Sequence, residues 1–279
     1  MNSESMTIDQ RIAAVRELPR YDMNALMEVM LLLRSEKGCP WDREQTHQSI
    51  RADFLEECYE AIEAIDCDDP AMLREELGDV LLQVVFHACI EQEQQRFTFE
   101  DICDELARKL IVRHPHVFGD VSVSDSGEVL KNWDAIKKET KSQKTYTDTL
   151  DGVCKALPAL MYAQKLGKRA SRAGMDWDSA EAAFACVRDE ADELEAAMKG
   201  GNAEEIEEEL GDLLFSCVNT ARHLGIDAEN ALRRAALKFK SRFAATEQLV
   251  LADGKQMPDL SLEVLDIYWA KAKSQEQKG

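Results

Sequence analysis

Polar side chains recur at helical spacing along residues 209–219, where Glu209, Asp212, Ser216 and Asn219 fall at i, i+3, i+7 and i+10. The segment 76–86 begins the same way with Glu76 and Asp79, then runs through Gln83 to Phe86. Side chains at these intervals share a helix face, so one expected helix is polar along that face and the other turns apolar. The same periodicity predicts five helices in each half of the chain. They lie near 22–36, 46–66, 70–95, 98–113 and 126–140, and again near 157–172, 179–199, 202–223, 228–251 and 261–275. Pro40, Pro70, Pro115 and Pro158 stand at or beside the expected ends, where a missing N–H and a bulky ring are tolerated. With 45% hydrophobic residues but only 6% aromatics, the chain suits packed helices, and an all-α fold is expected.

The two sets of helices form a repeat. The pentapeptide EELGD occupies residues 75–79 and again 208–212, and the same shift carries LEECYEAIEAI (55–65) onto RDEADELEAAM (188–198). Glu57 then meets Glu190, and Glu60 meets Glu193. GCPWD (38–42) answers GMDWD (174–178), KLIVR (109–113) answers KFKSR (238–242), and WDAIK (133–137) answers WAKAK (269–273). Two copies of one helical unit explain these matches better than one large domain. The expected organisation is an N-terminal extension at 1–21, a first domain at 22–141, a linker at 142–156 and a second domain at 157–279.

The formal charge of −20 argues against a nucleic-acid binder, whose affinity rests on clustered Lys and Arg. Divalent cations are the more natural partners. No apolar run approaches a membrane span, and MNSESMTIDQR lacks the basic start and apolar centre of a signal peptide. Eight cysteines without a CxxC pair are expected to be reduced core thiols of a cytoplasmic protein.

Residues three apart on a helix are neighbours, so Glu190 with Glu193 and Glu209 with Asp212 each project a carboxylate pair. The short GGN turn at 200–202 folds the two helices together and brings four acids to one place. Four unpaired carboxylates would repel and raise one another's pKa, so a cation is expected among them. An oxygen-only donor set favours Mg²⁺, with Mn²⁺ as a substitute. Glycine within a helix costs about 1 kcal/mol relative to alanine, and close approach of another helix backbone is the expected reason for the one in EELGD. Lys238 with Arg242, and Trp269 with Lys273, lie four apart. Cations and a flat aromatic near a metal cluster suggest a nucleotide with its phosphates on the metal and cations.

DEADE followed by EELGD in the second half, and EECYE followed by EELGD in the first, resemble the EExxE…ExxD signature of MazG-type nucleoside triphosphate pyrophosphohydrolases. GCPWD, RHPHVF (113–118) and LPALMYAQKLGKRA (157–170) extend the resemblance over nearly the whole chain. It implies an all-α fold in which helix pairs of two subunits complete four-helix bundles, hence a homodimer. It also implies Mg²⁺-dependent hydrolysis of nucleoside triphosphates to monophosphate and pyrophosphate, with broad base tolerance. Carried over by position, Glu190, Glu193, Glu209 and Asp212 hold the metal. Lys238, Arg242, Trp269, Lys165 and Lys168 contact the nucleotide, joined by Lys273. Glu193 is preferred over Glu190 as the base. The chain departs from the signature at Asp189, a shortened first acid, whereas the first half keeps Glu56.

Both halves retain four acids, but their flanks differ. Lys165, Lys168 and Arg169 correspond to Val29, Leu32 and Leu33, and only the former set suits a triphosphate. The second half is therefore expected to be catalytic. The first is expected to be a scaffold and dimerisation unit with a possible second metal site at Glu57, Glu60, Glu76 and Asp79. A di-iron bundle is disfavoured because its paired Glu-x-x-His would rest on Glu44 and His47 alone, and the repeat places Ala183 opposite His47. No GxxxxGK[ST] or GxGxxG phosphate loop and no local nucleophile signature occurs. The alternative is a non-enzymatic acidic helical adaptor for a protein partner.

Overall fold

Side-chain caps fix the helix ends at the positions the sequence pattern marks. In the first half Asp22 accepts from the backbone N–H of Ala25 to start α2 (Met23–Leu33), and Asp69 accepts from Ala71 and Met72 to start α5 (Pro70–Glu93), with Pro70 in the first turn. Thr98 and Asp101 form a reciprocal capping box at α6 (Phe99–Arg113). The remaining helices of this half are α1 (Ile8–Arg16), the short α3 (Pro40–Glu44), α4 (Arg51–Asp66) and α7 (Pro115–Phe118). His114, from the HxH of the first half, closes α6 and opens α7.

In the second half, α8 spans Tyr146–Asp151, α9 Ala159–Ser171, α10 Ala180–Gly200, α11 Ala203–His223, α12 Ala228–Ala252 and α13 Leu262–Glu276. Ser179, Asn202 and Asp227 cap α10, α11 and α12 through hydrogen bonds to Ala182, Glu204 and Asn230. The chain of this computed structural model divides into two compact units, Met1–Ile136 and Lys137–Gly279. The structure describes residues 6–125, 127–129, 132, 133, 136 and 144–276, and among these there is no strand. The helix expected near 126–140 lies largely outside the described residues. Besides the short α3 and α7, two helices lie where the sequence pattern marks none. The N-terminal extension forms α1, which packs on α2 with an Arg11–Glu28 ion pair at 2.6 Å. The segment read as linker contains α8, which packs on α9.

The dominant packing in each unit is a helix pair, α4 with α5 and α10 with α11. Each pair is joined by a tight reversal whose left-handed residue falls at the same repeat position: Asp68 at φ 52° in the first unit and Gly201 at φ 75° in the second. Asp is among the few side-chain-bearing residues that tolerate this conformation, so the repeat keeps its turn while changing its residue.

The cores differ. Met27, Met30, Ile50, Val85, Phe86 and Cys89 belong to one buried cluster in the first unit, gathered from α2, the start of α4 and the C-terminal half of α5. Glu91 is buried beside it, and its carboxylate accepts from Arg96 and pairs with His47. In the second unit α11 instead buries Ser216, Val218 and Asn219. Among the eight cysteines, all free, only Cys89 is buried and Cys67, Cys103, Cys154 and Cys217 are exposed. The expectation of core thiols is therefore corrected: Cys103 and Cys217 sit on exposed helix positions, and Cys67 and Cys154 fall outside helices.

Polar contacts tie the second unit around α11. Gln164 of α9 donates to the Ile226 carbonyl at 2.8 Å and accepts from the Ala228 N–H at 3.1 Å. Asp176 anchors the loop before α10 by pairing with the Arg222 guanidinium and with His223 Nε2 at 2.9 Å. Arg222, His223 and the Trp177 N–H hold the Asp176 carboxyl down at about 2, against the opposing effect of burial. A carboxyl depressed on folding stabilises the protein above its unfolded pKa of about 4 and loses that contribution as pH falls through its folded value. Asp176→Asn is therefore expected to lower the urea midpoint at pH 7 and to have little effect near pH 2, and an equal shift at both pH values would refute this linkage.

Candidate active site

The α10–α11 pair presents acids from both helices to a common space. Glu190 and Glu193 project from α10 and Glu209 from α11, and each offers a carboxylate oxygen within 4.8 Å of the other two. Asp212, one turn beyond Glu209, adds its charge to the field at Glu190 and Glu209. Glu190 is half-buried and hydrogen-bonded to Ser216 on the next turn of α11, so the polar ladder continues away from the acids. The carboxyls of Glu190 and Glu209 are both raised above the ordinary range, first by desolvation and then by the neighbouring negative charges. Among the described residues no Lys or Arg forms an ion pair with any of the four acids. An all-oxygen cluster of mutually destabilised carboxylates fits a hard divalent cation.

The first unit reproduces the arrangement. Glu57, Glu76 and Asp79 offer oxygens within 4.8 Å of one another, and Glu60 hydrogen-bonds Glu57. Glu57 and Glu76 are raised for the same two reasons. Beyond the acids the ladder changes character: Gln83 is buried with its carbonyl oxygen lacking a partner, and Phe86 is packed in the core.

The cationic and aromatic candidates occupy other helices. Lys165 and Lys168 lie on the exposed face of α9. Lys238 and Arg242 are on α12, Trp269 and Lys273 on α13, and these two helices pack as a hairpin. Trp269 stacks at a tilt on Phe239, with ring centroids 5.3 Å apart, beside Phe243 in a small apolar slot. The glycine expectation is corrected. A Cβ built at Gly78 or Gly211 would meet nothing within 4 Å, so neither glycine is needed for its own helix pair to close. A helical glycine that does permit close approach of another helix is Gly167 of α9, where a Cβ would collide with the Asn219 side chain.

Sequence reasoning missed a cavity of about 420 Å³ between α9 and α11, whose lining includes Leu150, Leu166, Trp177, Phe215 and Asn219. Trp177 is fixed on its polar edge by donating Nε1–H to Cys186 Sγ at 3.0 Å. GMDWD marked this segment as a repeat landmark, but only the folded loop carries its Trp and Asp back to α11.

Two segments of the chain, residues 45–118 and 178–245, match the MazG nucleotide pyrophosphohydrolase domain. The nucleoside triphosphate pyrophosphohydrolase/pyrophosphatase MazG of Thermotoga maritima is 46% identical over 252 residues, covering 90% of this chain and 96% of the relative. The nucleoside triphosphate pyrophosphohydrolase of Escherichia coli is also 46% identical, over 257 residues, covering 91% and 98%. That of Mycolicibacterium smegmatis is 36% identical over 279 residues, covering 95% of this chain and 75% of the relative. Each match of the domain brackets one acidic helix pair, so the convergent carboxylates of both units belong to the feature the matches share. The chain therefore belongs to the MazG nucleotide pyrophosphohydrolase family, carries its domain twice, and is an enzyme of that hydrolase class.

Proposed function

We propose that the second unit hydrolyses nucleoside triphosphates, NTP or dNTP, to the monophosphate and pyrophosphate in a Mg²⁺-dependent reaction of broad base tolerance. The observation that carries this reading is the convergence of Glu190, Glu193 and Glu209, with the carboxyls of Glu190 and Glu209 raised and no ion pair to Lys or Arg among the described residues, in a chain of this family. Residues 157–279 form the catalytic domain and 22–141 the scaffold, and Mn²⁺ substitutes for Mg²⁺.

Glu190, Glu193, Glu209 and Asp212 hold the cation. When bound, it neutralises triphosphate oxygens and orients water toward the α/β phosphoanhydride. Glu193 is the more exposed acid of the α10 pair and takes the proton of the attacking water. Glu190, tethered by Ser216, is the positioned alternative. The exposed Lys165 and Lys168, with Lys238, Arg242 and Lys273, offset charge on the phosphates and on the departing pyrophosphate. Trp269 adds an aromatic surface for the nucleotide.

A homodimer completes the fold in this reading. On α4, Leu55, Tyr59 and Ile62 form an exposed stripe at helical spacing, and on α11 Leu210 and Leu214 flank the open Gly211. A second copy laid against these faces would cover them, and the glycines would then admit its helix backbone.

Asp212→Asn is expected to lower pyrophosphate release from a panel of NTPs, dNTPs and modified nucleotides by about 10²-fold or more, whereas Asp79→Asn stays within about twofold of the parent. Full activity in Asp212→Asn sinks the assignment, and inactivity of the parent toward the whole panel favours the acidic adaptor. A second outcome follows from linkage. A carboxyl raised on folding contributes stability that is full below its unfolded pKa and lost as pH rises through its folded value, and once ionised it opposes folding. Glu209→Gln should therefore raise the Tm of the chelator-treated protein at pH 7 while reducing the Tm gain on adding Mg²⁺. A Tm that falls without cation, or an undiminished Mg²⁺ response, would contradict the cluster's role.

A further inference from the structure

We propose that His47 and His87 form a pH-sensitive latch in the first unit, which ties the approach to α4 onto α5 and lets it go when the pair takes up a second proton. The latch is independent of the hydrolytic reading above, because neither histidine belongs to the acid sets.

Geometry is the first argument. His47 lies in the turn between α3 and α4, and His87 and Glu91 stand one helical turn apart on α5. The Nδ1 atoms of the two histidines are 2.7 Å apart, while the ring centroids are 4.9 Å apart and the planes are inclined by only 19°. Nitrogens that close cannot belong to rings in van der Waals contact, so the rings meet nitrogen to nitrogen across a hydrogen bond. On its other side His47 Nε2 meets a Glu91 oxygen, and Arg96 grips both oxygens of that carboxylate.

Proton counting is the second. The Glu91 carboxylate accepts a hydrogen bond and so fixes a proton on His47 Nε2, which leaves Nδ1 as the variable atom. With one proton between the rings either histidine can be the donor, and the contact survives whether the pair is neutral or carries one charge. With two protons N–H faces N–H, and the contact must open because a doubly protonated imidazole has no acceptor.

The surroundings set where this happens. Phe54 of α4 lies edge-on to the His87 ring, and the charges acting on His87 are those of His47 and Glu91. Burial, and then the charge of His47, hold His87 below the ordinary imidazole value, against the opposing pull of Glu91. Glu91 is itself held down, first by Arg96, and stays ionised while the pair titrates. A histidine lowered on folding contributes stability that is complete above its unfolded pKa of about 6.5 and lost as pH falls through its folded value. Arg34 of α2, paired with Glu93 of α5, also donates to the Asp42 and Gln45 carbonyls. That second tie does not titrate in this range, so release is confined to the chain from Thr46 onward.

The twin repeat is the last argument. Ala183, Thr220 and Leu224 of the second unit correspond to His47, His87 and Glu91. Thr220 Oγ1 donates to the Ser216 carbonyl of its own helix. One backbone plan thus carries the latch in one copy and closes without it in the other, which makes the acid response a property of the first unit alone.

Amide hydrogen exchange of the full chain, corrected for the intrinsic rate, is measured at pH 7.5 and pH 5.0. Protection over residues 46–58 should fall by about tenfold or more at the lower pH, while the equivalent residues 182–194 change by less than about twofold. His87→Asn keeps a hydrogen-bonding group near the Nδ1 position without titrating, and His87→Thr copies the second unit. Either folded variant should show the same protection at both pH values. The nitrogen-15 coupling across the hydrogen bond between two imidazoles reads the contact in the parent itself, and it should be present at pH 7.5 and gone at pH 5.0. Unchanged protection in the parent, an equal loss in both units, or a pH response kept in a folded variant overturns the latch. A coupling that persists at pH 5.0, or is absent at both pH values, overturns it equally, even if neither variant folds.

Discussion

Repulsion among carboxylates that two helices force together is the constraint on which the second unit depends. Glu190, Glu193 and Glu209 meet within 4.8 Å because a two-residue reversal at Gly201 and Asn202 leaves α10 and α11 no freedom to splay. Desolvation and like charge push Glu190 and Glu209 upward, so the folded protein holds an arrangement that its own electrostatics oppose. Helix packing elsewhere must carry this opposition, and a bound cation converts it into affinity. The caps, the Asp176 clamp on Arg222 and the Gln164 bridge to the α11–α12 turn all immobilise α11, the helix that links the acids to the cavity.

Tandem duplication relaxes the conflict between stability and function. In the first unit the ladder beyond the acids ends in Phe86, which joins Met27, Met30 and Val85 in an apolar cluster. Full burial of such a side chain stabilises by about 1.5–3 kcal/mol. In the second unit the corresponding place holds a buried amide with long hydrogen bonds beside an open cavity, and that gain is forgone. From one backbone plan, one copy thus fills this place with a buried aromatic ring and the other leaves an amide beside an open cavity.

Much of this was legible in the sequence because the signals are periodic and local. The i, i+3, i+7, i+10 ladder of α11 and its truncated twin on α5 were visible as patterns, and three of the four acids in each unit meet within 4.8 Å. Pro70 and Pro158 made the starts of α5 and α9 readable as well. What escaped depends on contacts between residues far apart in sequence. Asp176 and Trp177 gain meaning only when their loop returns to Arg222 and Cys186, and no spacing rule announces that return. The helices α1 and α8 fall at corresponding places in the two units but share no motif, and their short spans resemble extension and linker.

The EELGD glycine shows why a sound local premise gave an incorrect neighbour. A glycine in a helix does call for a reason, and close approach was a reasonable one, yet Gly78 and Gly211 face open space while Gly167, in no repeated motif, carries the tight contact. Open glycines beside exposed Leu77 and Leu210 leave that helix surface uncovered within the chain. Cys217 and Leu214 are exposed on the same helix, whereas Cys103 lies on α6 and Cys154 outside any helix, so the corrected glycine and the corrected thiols have separate physical causes.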